Sequence, residues 1–159
     1  MAYRIRRAEL SDVNGVAQLF NEYRMFYDQL TDLNGANEYI RERMERNESV
    51  ILIAESEVEC SLTDKLLTGD FGGFVQLYPS FSSVSMRTIW VLNDLYVHAD
   101  YRQRGIARKL LQAARRWGNE SGAVRIVLST AISNKKARAL YESEGYTLDT
   151  KFMYYELQI

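Results

Sequence analysis

The hydrophobic and polar positions of the first half of the chain predict one strand, two helices and three further strands. At the N-terminal end apolar and basic residues alternate, as is typical of an edge strand, and apolar residues at helical spacing follow. The predicted elements are a strand over 3–7, helices over 13–27 and 37–46, and strands over 49–55, 72–78 and 86–97. Asn34-Gly35 is expected to separate the helices, and loops over 56–69 and 79–85 to separate the strands.

The second half is predicted to continue as helix, strand, helix and one or two final strands. Residues 105–119 carry apolar side chains on one side and basic side chains on the other, which favours an amphipathic helix. A buried strand over 124–129, a helix over 134–144 and final strands within 146–157 complete the order. The strand, helix and strand over 89–129 predict a parallel crossover. We expect one domain, 1–159, with a mixed sheet of the α/β (α+β) class.

Composition excludes several classes of protein. The chain has 159 residues, a net charge of −1, 47% hydrophobic and 26% charged residues, values that are typical of a globular domain. A single Cys, Cys60, excludes an internal disulfide, and with one His it makes a metal centre rich in N and S ligands improbable. The longest apolar run, Val50–Ala54, is too short for a membrane span, and the first residues do not resemble a signal peptide. We therefore expect a cytoplasmic protein that has neither a membrane-spanning segment nor a metal centre.

The near-neutral average hides a sharp division of charge. Residues 101–141 contain ten Lys or Arg and one acid, giving +9, whereas the remainder carries −10. A basic segment of this size predicts an anionic partner. At this point a nucleic acid, a phosphorylated cofactor and an anionic membrane all remain open.

The segment 95–107 narrows the choice of anion. A strand runs into a basic loop, and Gly105 then opens a helix whose free backbone N–H groups would point at one place. Gly105 lets a phosphate approach the backbone, Ala107 keeps the first turn thin, and Arg102, Arg104 and Arg108 add charge. A merely solvated basic helix start would explain the charges but not the small residues. No GxxxxGK[ST] or GxGxxG sequence is present, so nucleotide hydrolysis and dinucleotide binding lose support.

The second half of the chain contains two motifs. Residues 102–107, Arg-Gln-Arg-Gly-Ile-Ala, fit the pattern (Q/R)-x-x-G-x-(G/A), and residues 134–146 fit N-x-x-A-x-x-(L/F)-Y-x-x-x-G-(F/Y). In this order and separation they resemble the pyrophosphate loop and a later helix of the GNAT superfamily, the acyl-CoA N-acyltransferases. The resemblance implies a central mixed sheet of six to seven strands, about four helices, and a splayed parallel pair of strands at the cofactor site.

The resemblance also implies a role for each matched residue. Backbone groups of the strand ending Leu95, Tyr96, Val97 would bind the acetyl carbonyl and the pantetheine arm. The pyrophosphate would be held by Arg102, Gln103, Arg104, Gly105, Ile106 and Ala107, with Arg108 adding charge beside them. Asn134 would cap its helix and contact the pantetheine or the splayed strands, and Ala137 would bind the cofactor. Tyr141 would be the general acid for the leaving thiolate.

The spacing of the second motif is compatible with these roles. Asn134, Ala137 and Tyr141 stand at i, i+3 and i+7, so they share one helix face. A tyrosine hydroxyl with a pKa of about 10 suits a leaving thiolate whose conjugate acid has a pKa of about 8.5. The alternative is an ordinary core tyrosine with a satisfied hydroxyl.

The general base is less well defined by the sequence. Leu92 to Val97 resembles the equivalent strand of diamine acetyltransferases, but Asn93 stands where those enzymes have the usual acid. Asp94 is adjacent, although strict alternation along a strand would turn its side chain to the other face. Asp94 and a water wire to backbone carbonyls are therefore rival hypotheses. His98 is interpreted as a surface loop residue and Cys60 as a spectator thiol.

The sequence thus predicts an enzyme that transfers an acetyl group from acetyl-CoA, its co-substrate, to a primary amine of a small molecule or a peptide. The attack would be direct, in a ternary complex. Similarity to diamine acetyltransferases favours a small-amine acceptor, and homodimers are common among small relatives. Two other hypotheses remain: an acyl-CoA-binding regulator without catalysis, and a basic nucleic-acid-binding module, which no recognised binding signature supports.

Overall fold

The computed structural model describes residues 2–57 and 71–159 of the chain. Met1–Ser129 form one compact unit and Thr130–Ile159 form a second. Among the described residues, the first unit contains a sheet with three α-helices, and the second contains one α-helix. Cys60 and most of the predicted loop 56–69 lie outside the described residues.

Within these described ranges the chain forms five strands and four α-helices. The strands are β1 (Tyr3–Arg7), β2 (Val50–Ser56), β3 (Phe71–Ser82), β4 (Arg87–Val97) and β5 (Ile126–Val127). The helices are α1 (Val13–Phe26), α2 (Leu33–Glu45), α3 (Ile106–Glu120) and α4 (Lys135–Ser143). Short 3-10 turns cover Leu10–Asp12 and Ala99–Tyr101.

The five strands form a single mixed sheet in the order β1-β2-β3-β4-β5. β1 to β4 pair antiparallel with their neighbours, whereas β5 pairs parallel to β4. The predicted parallel pair flanking α3 is therefore confirmed. The expected count of six to seven strands is wrong, because the sheet has five strands within the described part of the chain.

Apolar residues from both faces of the sheet are covered by helices. On one face, Ile53 and Phe74 pack into a buried cluster with Phe20 of α1 and Ile40 of α2. α3 contacts β1 to β4 and buries an apolar row on its sheet-facing side. That row consists of Ile106, Leu110, Leu111 and Ala114. Helical spacing predicts this buried side of α3 correctly.

Two glycines at the start of β3 let β4 and α3 lie close to the sheet centre. A Cβ on Gly73 would lie 2.6 Å from the carbonyl oxygen of Tyr96 in β4. A Cβ on Gly72 would lie 2.9 Å from the Cδ1 of Ile106, the first residue of α3. The neighbour of Gly73 is backbone, so glycine at this position allows the close approach of β4, whereas the neighbour of Gly72 is the end of a side chain.

Two predicted boundaries in the first unit differ from the structure. α2 begins at Leu33 and runs through Gly35, because the Asp32 carboxylate caps the helix by accepting a hydrogen bond from the Gly35 N–H at 2.9 Å. β3 continues through Pro79 to Ser82. Its pairing with β2 ends at Leu77, so a residue without an N–H is tolerated beyond that point.

The predicted strands after residue 122 are shorter than expected or absent. β5 covers two residues, Ile126–Val127, instead of 124–129. The described residues 146–157 contain no strand, which corrects the expectation of one or two there. Residues that favour strands give only a local preference for extended backbone. A strand also needs a neighbouring strand to pair with, which the local sequence pattern does not specify.

Candidate active site

The edge of β4 that faces β5 is open over half its length. β5 pairs with β4 only through Trp90 opposite Ile126 and Val91 opposite Val127. Over residues 92–97, β4 keeps its pairing with β3 but has no further pairing with β5 within the described residues. The pairing of these two parallel strands therefore ends at Val91 and Val127. The splayed pair that the resemblance implies would begin at this point. An open strand edge presents backbone donors and acceptors to a ligand.

Strand geometry decides which backbone groups reach this open edge. The His98 N–H donates to the Gly72 carbonyl at 3.0 Å. In an antiparallel pair the groups that face the partner alternate, so Tyr96 directs its N–H and C=O toward β3. Leu95 and Val97 therefore direct theirs toward the open edge. Of the three predicted residues 95–97, these two present backbone groups to that edge, and Tyr96 does not.

A β-bulge at Asn93 lies just beyond the last residue of β4 that pairs with β5. Leu77 lies opposite Leu92 and Gln76 lies opposite Asp94, so Asn93 is the extra residue on β4. The bulge breaks the strict alternation that would separate Asn93 from Asp94. Asn93 Nδ2 donates a hydrogen bond to Asp94 Oδ1 at 3.1 Å, so the two side chains meet.

Asp94 is a buried carboxylate on the side of the sheet that α1 and α2 cover. Its exposed fraction is 2%, and Gln76, which is fully buried, donates from Nε2 to Asp94 Oδ2 at 2.6 Å. Gln76 Nε2 also lies 3.0 Å from the Tyr78 hydroxyl, which shares a hydrogen bond of 2.7 Å with the Tyr39 hydroxyl. A chain of hydrogen bonds therefore leads from Asp94 to α2.

Opposing effects act on the pKa of Asp94. Burial is the larger effect and raises this pKa above its ordinary value, since it disfavours the charged form. Hydrogen bonds from Gln76 and Asn93 act in the opposite direction by stabilising the carboxylate. Burial and the Tyr39 hydrogen bond also raise the pKa of Tyr78, so its phenol stays neutral. Asp94 is thus a carboxylate with a raised proton affinity and a fixed orientation.

The basic loop joins the end of β4 to α3. Gln103, with φ of 61°, and Gly105, with φ of 76°, turn the backbone into the left-handed region before α3 starts. Gly105 is the N-cap of α3 and supplies no side-chain cap. The first N–H groups of a helix have no acceptor within the helix, so those that follow Gly105 are available to an anion. Ile106 is buried and fixes the start of α3 to the sheet.

The arginines of this loop differ in their contacts. Arg102 Nε donates to the carbonyl oxygen of Val97 at 3.0 Å, and its guanidinium lies 5.7 Å from the centre of the Tyr96 ring. Arg104 lies 5.6 Å from the centre of the Tyr101 ring. The loop is thus cationic next to the open edge of β4, as the sequence predicts. Arg102 is hydrogen-bonded to that edge.

The Tyr96 side chain lies on the α1 side of the sheet. Its hydroxyl donates to Glu22 Oε2 at 3.1 Å, and His98 Nε2 lies 3.7 Å from Glu22 Oε1. Burial, followed by the negative charge of Glu22, raises the pKa of Tyr96. Glu22 was not predicted from the sequence, because a charged residue on a helix surface carries no distinguishing signal. Gln76 was not predicted either, although a glutamine between the apolar residues Phe74, Val75 and Leu77 is such a signal.

The second predicted motif lies in the second unit. Asn134 is the N-cap of α4, and its Oδ1 accepts a hydrogen bond from the Ala137 N–H at 3.2 Å, so the predicted cap is confirmed. The Tyr141 ring packs edge to face with that of Tyr146 at 5.9 Å. Gly145 follows the end of α4 with a φ of 91°, a left-handed conformation that glycine commonly adopts after a helix.

Within the first unit the structure brings together most of the predicted site. Asp94, the open edge of β4 and the basic loop 102–108 occupy one continuous stretch of chain, which runs from the C-terminal part of β4 into the start of α3. Asn134, Ala137 and Tyr141 lie together in the second unit. No cluster of His, Cys, Asp and Glu suited to a metal occurs among the described residues. None of the described helices is long and apolar enough to cross a membrane.

Comparisons with known proteins agree with this arrangement. The sequence profile of the Acetyltransferase (GNAT) family matches residues 16–146. An uncharacterized N-acetyltransferase of Bacillus subtilis (strain 168), YhfO, is 46% identical over 98% of this chain and 97% of its own length. The crystal structure of a probable acetyltransferase superposes with a TM-score of 0.89 at 38% identity, covering 98% of this chain and 97% of that one.

A more distant relative carries a named substrate class. The D-amino-acid N-acetyltransferase HPA3 of Saccharomyces cerevisiae is 31% identical over 52% of this chain and 51% of its own length. The profile match, the near full-length relative and the shared fold agree with one another. The chain therefore belongs to the acetyltransferase (GNAT) family and is an acetyltransferase.

Proposed function

We propose that this acetyltransferase transfers the acetyl group of acetyl-CoA to a primary amine by direct attack in a ternary complex. One observation carries the proposal: the open edge of β4 runs directly into an arginine-flanked helix start. An acyl thioester needs backbone donors at its carbonyl, and a pyrophosphate needs cationic groups and free N–H groups. The first unit offers both on one continuous stretch of chain, residues 92–108.

The cofactor would bind with its thioester at β4 and its phosphates at the loop. Leu95 and Val97 direct N–H groups to the open edge, where they would stabilise the oxyanion that forms during attack. The residues 102–108 would hold the pyrophosphate through backbone N–H groups and positive charge. The pantetheine arm would extend between these two places along the edge that β5 leaves unpaired.

The amine would attack as a free base, so a group must accept its proton. The N–C bond forms as the C–S bond breaks, and the amine proton leaves to the base while the thiolate receives a proton from the acid. Asp94 is the proposed base, since burial raises its pKa and hydrogen bonds from Gln76 and Asn93 hold it in place. A water wire to backbone carbonyls of β4 is the competing route.

Tyr141 is the proposed general acid for the departing thiolate. The family motif that matches α4 supports this role, and Asn134 and Ala137 would lie beside the cofactor in the same motif. The family profile extends over residues 16–146 and so covers part of each compact unit. This extent supports the proposal that 1–159 works as one acetyltransferase domain.

Two features support an amine acceptor, whose identity is left to experiment. The relative YhfO is named an N-acetyltransferase, and the more distant relative HPA3 is named for D-amino acids. Outside residues 101–141 the chain carries a charge of −10, which suits a cationic acceptor. Small amines, amino acids and peptide amines are the classes to compare.

The proposal is tested by thiol release from acetyl-CoA across a panel of these amines. Tyr141→Phe should lower kcat by about one to three orders of magnitude and leave the Kd for acetyl-CoA nearly unchanged. Tyr146→Phe is the matched control, because it removes a neighbouring hydroxyl at a position where the motif accepts Phe. Equal kcat values in the two variants would remove the general-acid role.

A pH profile separates the two candidates for the base. Asp94 can accept a proton only when it is ionised, so kcat/KM should rise with pH through a pKa above the ordinary aspartate value. Asp94→Asn should lower kcat/KM by about two to four orders of magnitude and abolish that rise. A variant that keeps both its rate and its pH profile favours the water wire.

A further inference from the structure

The carbonyl of Val97 has an unusual partner for the last residue of a sheet strand. It points toward the open edge of β4, where a neighbouring strand would normally donate an N–H. Here Arg102 Nε donates to this oxygen at 3.0 Å. At the end of β4, an arginine side chain from the loop therefore provides the hydrogen-bond donor that a neighbouring strand would provide.

The same arginine rests on a fixed aromatic ring. Its guanidinium lies 5.7 Å from the centre of the Tyr96 ring. The backbone of Tyr96 pairs with Phe74 of β3, and its hydroxyl donates to Glu22 of α1 at 3.1 Å. Because the ring is held from both ends, it limits the orientations that Arg102 can adopt.

We infer that Arg102 is a positioning residue, which sets the orientation of the Val97 peptide at the open edge through its hydrogen bond and its stacking on Tyr96. This inference rests on the proposed function, in which the same edge binds the thioester. It changes the role expected for Arg102, which the family resemblance gives as a pyrophosphate ligand. The charge of Arg104, whose guanidinium lies over the ring of Tyr101, would then contribute more to phosphate binding.

The two roles differ in the kinetic constant that each residue affects. A positioning residue acts on the orientation of the oxyanion donors, so its loss lowers kcat. A phosphate ligand acts on cofactor affinity, so its loss raises the Kd for CoA. Lysine keeps the positive charge but has neither the Nε–H nor the planar guanidinium that stacks on the ring.

Arg102→Lys should therefore lower kcat about tenfold and change the Kd for CoA less than about threefold. Arg104→Gln should show the opposite pattern, with the Kd raised about tenfold. Arg116→Lys, an exposed residue further along α3, is the control for an arginine replaced outside the site. Calorimetry with CoA and steady-state rates provide the two constants.

Tyr96→Phe extends the test, because it removes the bond to Glu22 and keeps the ring. We expect kcat to fall by about two- to fivefold, less than in Arg102→Lys. In the double variant with Arg102→Lys, the fold-loss of kcat should be smaller than the product of the two single fold-losses. Fully multiplicative losses would contradict a shared positioning unit.

Hydrogen exchange tests the inference independently of catalysis. The His98 N–H bonds to β3 at the end of β4, so a loosened end should exchange this amide about tenfold faster in Arg102→Lys than in Arg116→Lys. Equal exchange in the two variants, or a wild-type kcat in Arg102→Lys, would overturn the inference. If wild-type protein binds CoA but releases no thiol with any amine, while the exchange difference appears, the proposed acetyl transfer fails and the role of Arg102 stands.

Discussion

Gly105 is the position at which one added methyl group best tests the proposed phosphate site. Its φ is +76°, and a Cβ built there would meet no atom within 4 Å. In Gly105→Ala the left-handed conformation costs about 1–2 kcal/mol. The lower entropy of unfolded alanine offsets about 0.4–1 kcal/mol of that cost. We therefore expect a free energy of unfolding lower by about 1 kcal/mol, and a Tm lower by about 2–4 °C.

The effect on cofactor binding should be much larger than the effect on stability. The methyl group occupies open space beside the first N–H groups of α3, where a phosphate oxygen would lie in the proposed complex. Loss of one hydrogen bond to a charged group costs about 1.5–3 kcal/mol. We therefore expect the Kd for CoA to rise about 10- to 150-fold.

Gly122 provides a matched control at the other end of the same helix. Its φ is +72°, and an added Cβ would again meet no atom within 4 Å. Gly122→Ala thus has the same backbone strain without a role in the proposed site. Thermal unfolding should give similar losses for the two variants, and calorimetry should give a wild-type Kd for Gly122→Ala alone. Equal Kd values for CoA in both variants would refute the assignment of the phosphate site.

Two further predictions concern the scaffold. Gly73→Ala places a Cβ 2.6 Å from the carbonyl of Tyr96 and should cost about 1–3 kcal/mol by urea unfolding, whereas no loss would contradict that close approach. Arg6 bonds both Asp12 and Glu55 and lowers both pKa values, that of Glu55 to about 2, although burial opposes the effect at Asp12. The stabilisation that these ion pairs give to the fold is present above about pH 4.5 and is lost as the pH falls toward 2. Arg6→Gln should lower the free energy of unfolding at pH 7 by about 1 kcal/mol, and this free energy should then depend less on pH in the acid range. An unchanged pH dependence would contradict the role of Arg6.

Periodicity predicted helices better than it predicted strands. The buried row of α3 and the cap of α4 by Asn134 follow from local spacing and local hydrogen bonds. The break expected at Asn34-Gly35 was wrong because the cap lies earlier: a Cβ on Gly35 would lie 2.3 Å from the carboxylate of Asp32. Glycine at this position leaves room for the capping side chain of Asp32. The prediction treated glycine only as a helix breaker and did not consider this contact.

The site was predictable where it depends on order along the chain. The loop 102–107 could be found from its residues, because a strand, small residues and a helix start follow one another directly. The orientation of Asp94 could not, because it depends on a bulge that only pairing with β3 defines. The bond from Arg102 to Val97 was equally hidden, since it replaces a partner strand whose length the sequence overestimated.

The bulge and the short β5 together explain why the edge of β4 is open at that place. A bulge increases the local twist of a strand, and β5 pairs only with Trp90 and Val91, before the extra residue Asn93. Beyond it, β4 keeps its pairing with β3 and has no pairing with β5 within the described residues. The polar pair Asn93-Asp94, which interrupts an otherwise apolar strand, therefore coincides with the point where the sheet opens. A buried carboxylate and a free strand edge then arise from one irregularity, which places the proposed base and the proposed oxyanion donors within a few residues of each other.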